Sequence, residues 1–210
     1  PARVEAFTSA QPADLVIGQE DFNTYSYGTS QNQFKFLLGA AFDNGGNLWV
    51  ADSYNRVLRF SPPFTNGMNA ELVIGQNDFS GGDPGTGADK FNNPAGVAFD
   101  NAGNLWIADQ YNNRVLRFSP PFFSGMGADM VIGQSDFMSA SYATTQNTLS
   151  APQGIAFDAE GGLWVSDRSN SRVLKFNPLF STGMNASLVL GQSEFTSSNW
   201  YPPVSPESLA

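Results

Sequence analysis

The chain has 210 residues, of which 41% are hydrophobic and 13% aromatic, a balance that excludes a disordered polymer. It has no cysteine and no histidine, which removes disulfides, thiolate metal sites, the commonest general base and the commonest metal ligand. The formal charge of −9 argues against nucleic acid and anionic membrane as partners, and no apolar run approaches the roughly 18 residues of a membrane span.

In chain order, the sequence opens on Pro1-Ala-Arg3, as a processed or trimmed product does. Arg3-Val-Glu-Ala-Phe7 is the first echo of a segment that returns as Arg56–Phe60, Arg114–Phe118 and Arg172–Phe176. Leu-Val-Ile-Gly-Gln follows at 15–19 and returns with its glycine at 75, 133 and 191. Each copy leads into an acid and a phenylalanine: Asp21-Phe22, Asp78-Phe79, Asp136-Phe137 and Glu194-Phe195. The glycine steps are 57, 58 and 58 residues, and the short step falls in Asp52-Ser-Tyr-Asn-Arg56, where the second copy reads Asp109-Gln-Tyr-Asn-Asn-Arg114. Loss of one residue without loss of register is what a hairpin tip tolerates. A fixed period of this length describes supersecondary units that stack to bury their apolar faces.

Within the second unit, Gly96–Asp100 is short and apolar and reads as a first strand, A. Asn101-Ala-Gly-Asn104 has hairpin-turn chemistry; Leu105–Ala108, Arg114–Phe118 and Asp129–Ile132 supply strands B, C and D. The prolines of Ser119-Pro-Pro keep the C–D connection out of the sheet, and no helical period is present. Four antiparallel strands per unit define an all-β chain of β-propeller blades. The expected division is a partial blade and loop over 1–36, blades over 37–79, 94–137 and 152–195, and a tail over 196–210 leading toward another blade. About three and a half blades fall below the 4–8 usual for a closed ring. The segment is therefore expected to belong to a longer ring, or else to be completed by association of copies.

Pro94-x-Gly-Val-Ala-Phe-Asp, followed by Gly103-Asn-Leu-Trp-Ile-Ala-Asp109 and Asn113-Arg-Val-Leu-Arg-Phe118, resembles the NHL repeat. The added Gly-Gln-x-Asp-Phe segment is similar to the long-repeat bacterial version. The resemblance implies a β-propeller, commonly six-bladed, used mostly as a binding platform. Leu37 departs from it, standing where Pro94 and Pro152 stand in the other copies.

Candidate sites divide into repeated and unrepeated residues. Asp52/Arg56, Asp109/Arg114 and Asp167/Arg172 recur in every blade, so they read as charge-assisted bridges across the B–C hairpin; a catalytic site needs one unique constellation. Seven of the ten Lys and Arg residues lie in these core segments. Trp49, Trp106 and Trp164 read as packing between blades, each burying about 200 Å². Asp43, Asp100 and Asp158 end the innermost strands and read first as Asx caps of the following turn, with a ring of carboxylates holding Ca²⁺ as the alternative. Asp83–Asp89 has alternating oxygen side chains in a Gly-rich loop, and Asn185-Ala-Ser187 is a lone glycosylation sequon.

The A–B and C–D connections are nearly the same in all copies, whereas the D–A loops 23–36, 80–93 and 138–151 share no composition. In an up-and-down meander the D–A and B–C connections share one end, so that end is the expected binding face. Tyr25, Tyr27, Tyr54, Tyr111 and Tyr142 all fall in those connections, and tyrosine is enriched where a protein grips its partner. The leading expectation is a non-catalytic binding or scaffolding propeller for a protein or carbohydrate partner, outside the cytoplasm and without a cofactor. A structural subunit that closes a ring or polymerises by strand exchange is one alternative. A Ca²⁺-dependent lactonase or hydrolase is the other.

Overall fold

A computed structural model describes residues 11–199. Its strands are β1 Leu37–Phe42, β2 Leu48–Asp52, β3 Arg56–Phe60, β4 Leu72–Ile74, β5 Pro94–Phe99, β6 Leu105–Asp109, β7 Arg114–Phe118, β8 Met130–Ile132, β9 Pro152–Phe157, β10 Leu163–Asp167, β11 Arg172–Phe176 and β12 Leu188–Leu190. They form three four-stranded antiparallel meanders with consecutive strands paired, β1–β4 (blade I), β5–β8 (blade II) and β9–β12 (blade III). Among the described residues there is no α-helix, and so no helix able to cross a membrane.

Each sheet is a propeller blade, and the first strands face the axis: β1 lies against β5 and β5 against β9. Strand A starts two residues earlier than its sequence suggests, because Pro94 pairs with Asp109 ahead of a bulge. Proline is tolerated there as the first residue of an edge strand. The bulge brings neighbouring backbones together. A Cβ on Gly39 would sit 2.2 Å from the Ala95 carbonyl oxygen, and one on Gly96 would sit 2.4 Å from that of Gln153. Only glycine allows that approach.

The middle strands are covered on both faces by neighbouring blades, so they read as continuous apolar runs and not as alternating ones. In blade II all five residues of β6 are buried. Trp49 of blade I meets Phe99 and Phe122 of blade II edge-on, at ring separations of 5.8 and 4.9 Å. Trp106 of blade II repeats this with Phe157 and Phe180 of blade III, at 5.6 and 4.9 Å. Such aromatic pairs add about 0.5–1.5 kcal/mol beyond the area they bury. Backbone bonds reinforce the stack: Gly125 N–H donates to Val73 O at 3.1 Å and Gly183 N–H to Val131 O at 3.2 Å. Gly67 N–H donates in the same way to Val16 O at 3.2 Å, so Leu15–Ile17 occupies the place a fourth strand would take beside blade I. The Arg3–Phe7 echo lies outside the described residues.

Candidate binding face

The buried charges explain how the loop end is held. Arg114 Nε donates to Asp109 Oδ2 at 2.7 Å, with both side chains fully buried. Its remaining donors reach the carbonyls of Phe137, Gly87 (2.8 Å) and Lys90 (3.0 Å). Arg172 pairs with Asp167 at 2.7 Å and reaches Phe195, Thr145 and Thr148. Arg56 pairs with Asp52 at 2.9 Å and reaches Phe79, Thr29 and Gln33. Each arginine thus ties its own post-D segment to the D–A loop that precedes its blade. Burial pushes the Asp109 carboxyl up to about 6 against the pull of Arg114, and it raises Asp167 in the same way.

The Gly-Gln-x-Asp-Phe segment completes the lock. Gln76 Nε2 donates to the Asn55 and Asp83 carbonyls, both at 2.9 Å, and Gln134 repeats the pattern with Asn113 and Ser141. Gly75 has φ +90°, and a Cβ there would run into the Phe91 ring, so neither the conformation nor the space admits a side chain. Asn55 and Asn113, left-handed at φ 57° and 55°, join each B–C turn to the next D–A loop: Asn55 Nδ2 to Gly82 O at 2.7 Å, Asn113 Nδ2 to Ala140 O at 2.9 Å. The D–A and B–C connections therefore do share one end of the blades. The extra residue of the second and third B–C turns folds into single 3₁₀ turns, Gln110–Asn112 and Arg168–Asn170, which composition did not foretell.

Asp43, Asp100 and Asp158 act as turn caps and tryptophan partners. Asp43 Oδ1 accepts from Gly45 N and Asn47 N, both at 2.9 Å, while Oδ2 accepts the Trp49 indole at 2.9 Å. Asp100 and Asp158 take the Trp106 and Trp164 indoles at 2.9 and 2.8 Å. Lys175, the Trp164 indole and the Gly162 N–H hold the Asp158 carboxyl well below the usual range. These three carboxylates do not converge. Among the described residues no group of three or more His, Cys, Asp or Glu side chains could hold a metal, the Asp83–Asp89 loop included.

The tyrosines separate into two sets. Tyr25, Tyr27 and Tyr54 line one pocket of about 390 Å³ together with Lys35 and Phe36. Tyr111 and Tyr142 are exposed but line a different part of the face. Lys35 and Phe36 escape notice in the sequence because a lysine and a phenylalanine in a loop carry no motif. The signal lay in the repeat itself: the matching positions read Asn92-Asn93 and Ser150-Ala151. The Lys35 ammonium stands 5.2 Å from the Tyr54 ring centre and 5.9 Å from that of Phe36.

Meanders of four strands stacked face to face around a lining of first strands are the blades of a β-propeller. The NHL repeat model matches residues 91–118 and 149–176, so the second and third blades carry NHL repeats. It is 33% identical over 105 residues to the human NHL repeat-containing protein 3, covering 48% of this chain and 28% of that protein. It is also 30% identical over 173 residues to peptidyl-glycine alpha-amidating monooxygenase B of Xenopus laevis, covering 80% of this chain and 18% of that one. The chain thus spans less than a third of either relative's length. Among solved structures it is similar to a virginiamycin B lyase from Staphylococcus aureus, with a TM-score of 0.44, 14% identity, and coverage of 68% of this chain and 38% of that one.

Proposed function

We propose that the chain is a non-catalytic binding platform whose D–A/B–C end holds a protein or carbohydrate partner, at an extracellular or periplasmic location. One observation carries this reading. The Asp–Arg pairs that recur in every blade are consumed by the lock, whereas Tyr25, Tyr27, Phe36 and Tyr54 gather with an unrepeated lysine at the one end that varies. Fold alone does not choose a function, so the argument rests on that site. The test immobilises the chain and compares partner capture by Tyr54→Ala and Tyr111→Ala with capture by Phe123→Ser, at the opposite end of blade II. Loss confined to the tyrosine variants is expected; equal loss in all three removes the reading. Subcellular fractionation of the source checks the location.

Enzymatic chemistry is the competing class, given the names of the amidating relatives, among them a peptidyl-alpha-hydroxyglycine alpha-amidating lyase of Drosophila melanogaster. The platform reading expects no turnover of a peptidyl-α-hydroxyglycine substrate by the purified chain, with or without added Ca²⁺; turnover would replace it.

Self-association is favoured by a different observation. Phe42 and Phe64 repeat the edge-on phenylalanine pair that receives a tryptophan at each blade junction, yet Phe42 is 61% exposed. On the far flank Trp164 is half-buried where Trp49 and Trp106 are fully buried. Native mass spectrometry of the 210-residue chain checks this reading: multiples of the chain mass support it and monomer alone opposes it.

A further inference from the structure

The three blades serve as controls for one another. At the scaffold positions of Tyr25, Tyr27, Lys35, Phe36 and Tyr54, blade II carries Gly82, Pro84, Asn92, Asn93 and Tyr111. Blade III carries Ala140, Tyr142, Ser150, Ala151 and Ser169. The backbone at these positions is held by the same arginine and glutamine bonds in every blade, so the lock requires none of the five side chains. Blade I alone places four aromatic rings and an ammonium around one pocket. The rings are offered to solvent, Tyr25 at 87%, Tyr27 at 64% and Phe36 at 63% exposure, which costs hydrophobic free energy unless something covers them. Lys35 forms no ion pair among the described residues.

We propose that this pocket binds a glycan carrying hexuronic acid units. Its rings offer flat faces on which the C–H side of a pyranose stacks, and its three phenols both donate and accept hydrogen bonds, as sugar hydroxyls require. Lys35 supplies a single compact cation for the C6 carboxylate. The same ammonium excludes the quaternary ammonium ligands that a bare aromatic cage would attract. Phosphate is a poor match: no arginine fork or nest of backbone N–H groups lines the pocket. At about 390 Å³ the cavity falls within the roughly 300–1,000 Å³ range of small-ligand sites.

The inference rests on the binding-platform reading and narrows it to a ligand class. Isothermal titration of the 210-residue chain with trigalacturonate, its fully methyl-esterified form and benzoate tests it. Trigalacturonate binds, its neutral ester binds more weakly, and benzoate does not match either. Tyr25→Ala combined with Tyr27→Ala weakens trigalacturonate binding by about tenfold or more, from the loss of stacking. Lys35→Gln abolishes the difference between the acid and its ester. All three side chains are exposed and outside the lock, so unchanged melting temperatures confirm that the variants fold. Absence of trigalacturonate binding, affinity untouched by both variants, or benzoate bound as tightly as the glycan overturns the proposal. If no glycan binds but a captured partner is still lost in Tyr54→Ala, the ligand class has failed and the platform stands. If no partner depends on any residue of this face, the platform itself has failed.

Discussion

Arg114 shows how far single residues can be read from spacing. An acid closing one strand and an arginine opening the next implied a bridge across the hairpin, and Asp109 and Arg114 make it at 2.7 Å. The arginine's other bonds, to carbonyls 23 to 27 residues away, were beyond reach because they depend on where the loops return. Since both partners are fully buried, removing one strands the other's charge. Arg114→Ala is expected to cost about 3–5 kcal/mol in urea unfolding, and Asp109→Leu with Arg114→Met together to cost less than Arg114→Ala alone. A single-variant loss under about 1 kcal/mol would contradict a buried lock. Acid dependence follows from Asp158. Its folded carboxyl titrates below the ordinary carboxylate value of 3.8, chiefly through Lys175, so its contribution is complete above that value and is lost as pH falls through the folded one. Asp109 runs the opposite way: its raised value favours the folded state when protonated, an advantage lost as pH rises from about 4 to about 6. Melting temperatures measured from pH 7 down to pH 2 should decline less steeply below pH 4 for Asp158→Asn than for the parent chain. Parallel curves would remove the Asp158 assignment.

At the scale of elements, the strands were legible because short apolar runs alternated with Gly, Asn and Pro at a fixed period. The start of strand A was not, because a bulge lets Pro94 pair with Asp109 where the pattern alone begins the strand at Gly96. The Asp43 set caps the A–B turns, and Asp43 accepts from both the Asn47 amide and the Trp49 indole. The tryptophans give the sharpest energetic contrast. Trp106 is sealed between blades II and III, whereas Trp164 is only half-buried. Trp106→Ala is expected to cost about 3–5 kcal/mol and Trp164→Ala less than half of that, by chemical denaturation. Equal costs would mean that the blade-to-blade junction is not where the stability lies.

At the scale of the molecule, the blades make two unlike ends from one repeated unit. The A–B and C–D end repeats, with Asp43, Asp100 and Asp158 capping it in turn. The other end is fixed by three arginine locks and is free to differ above them. That division was visible in the sequence as loops of unlike composition. The particular grouping of Tyr25, Tyr27, Lys35, Phe36 and Tyr54 was visible only in part, because two of its members lie at the far end of the same D–A loop, and Tyr54 lies across the blade. The proposed binding belongs to this end of the molecule. Amide chemical-shift mapping of the isotopically labelled chain during a trigalacturonate titration tests it most directly. Shifts concentrated in residues 25–36 and 53–55 are predicted. Shifts concentrated in residues 101–104 and 119–125, or no shifts at all, would contradict it.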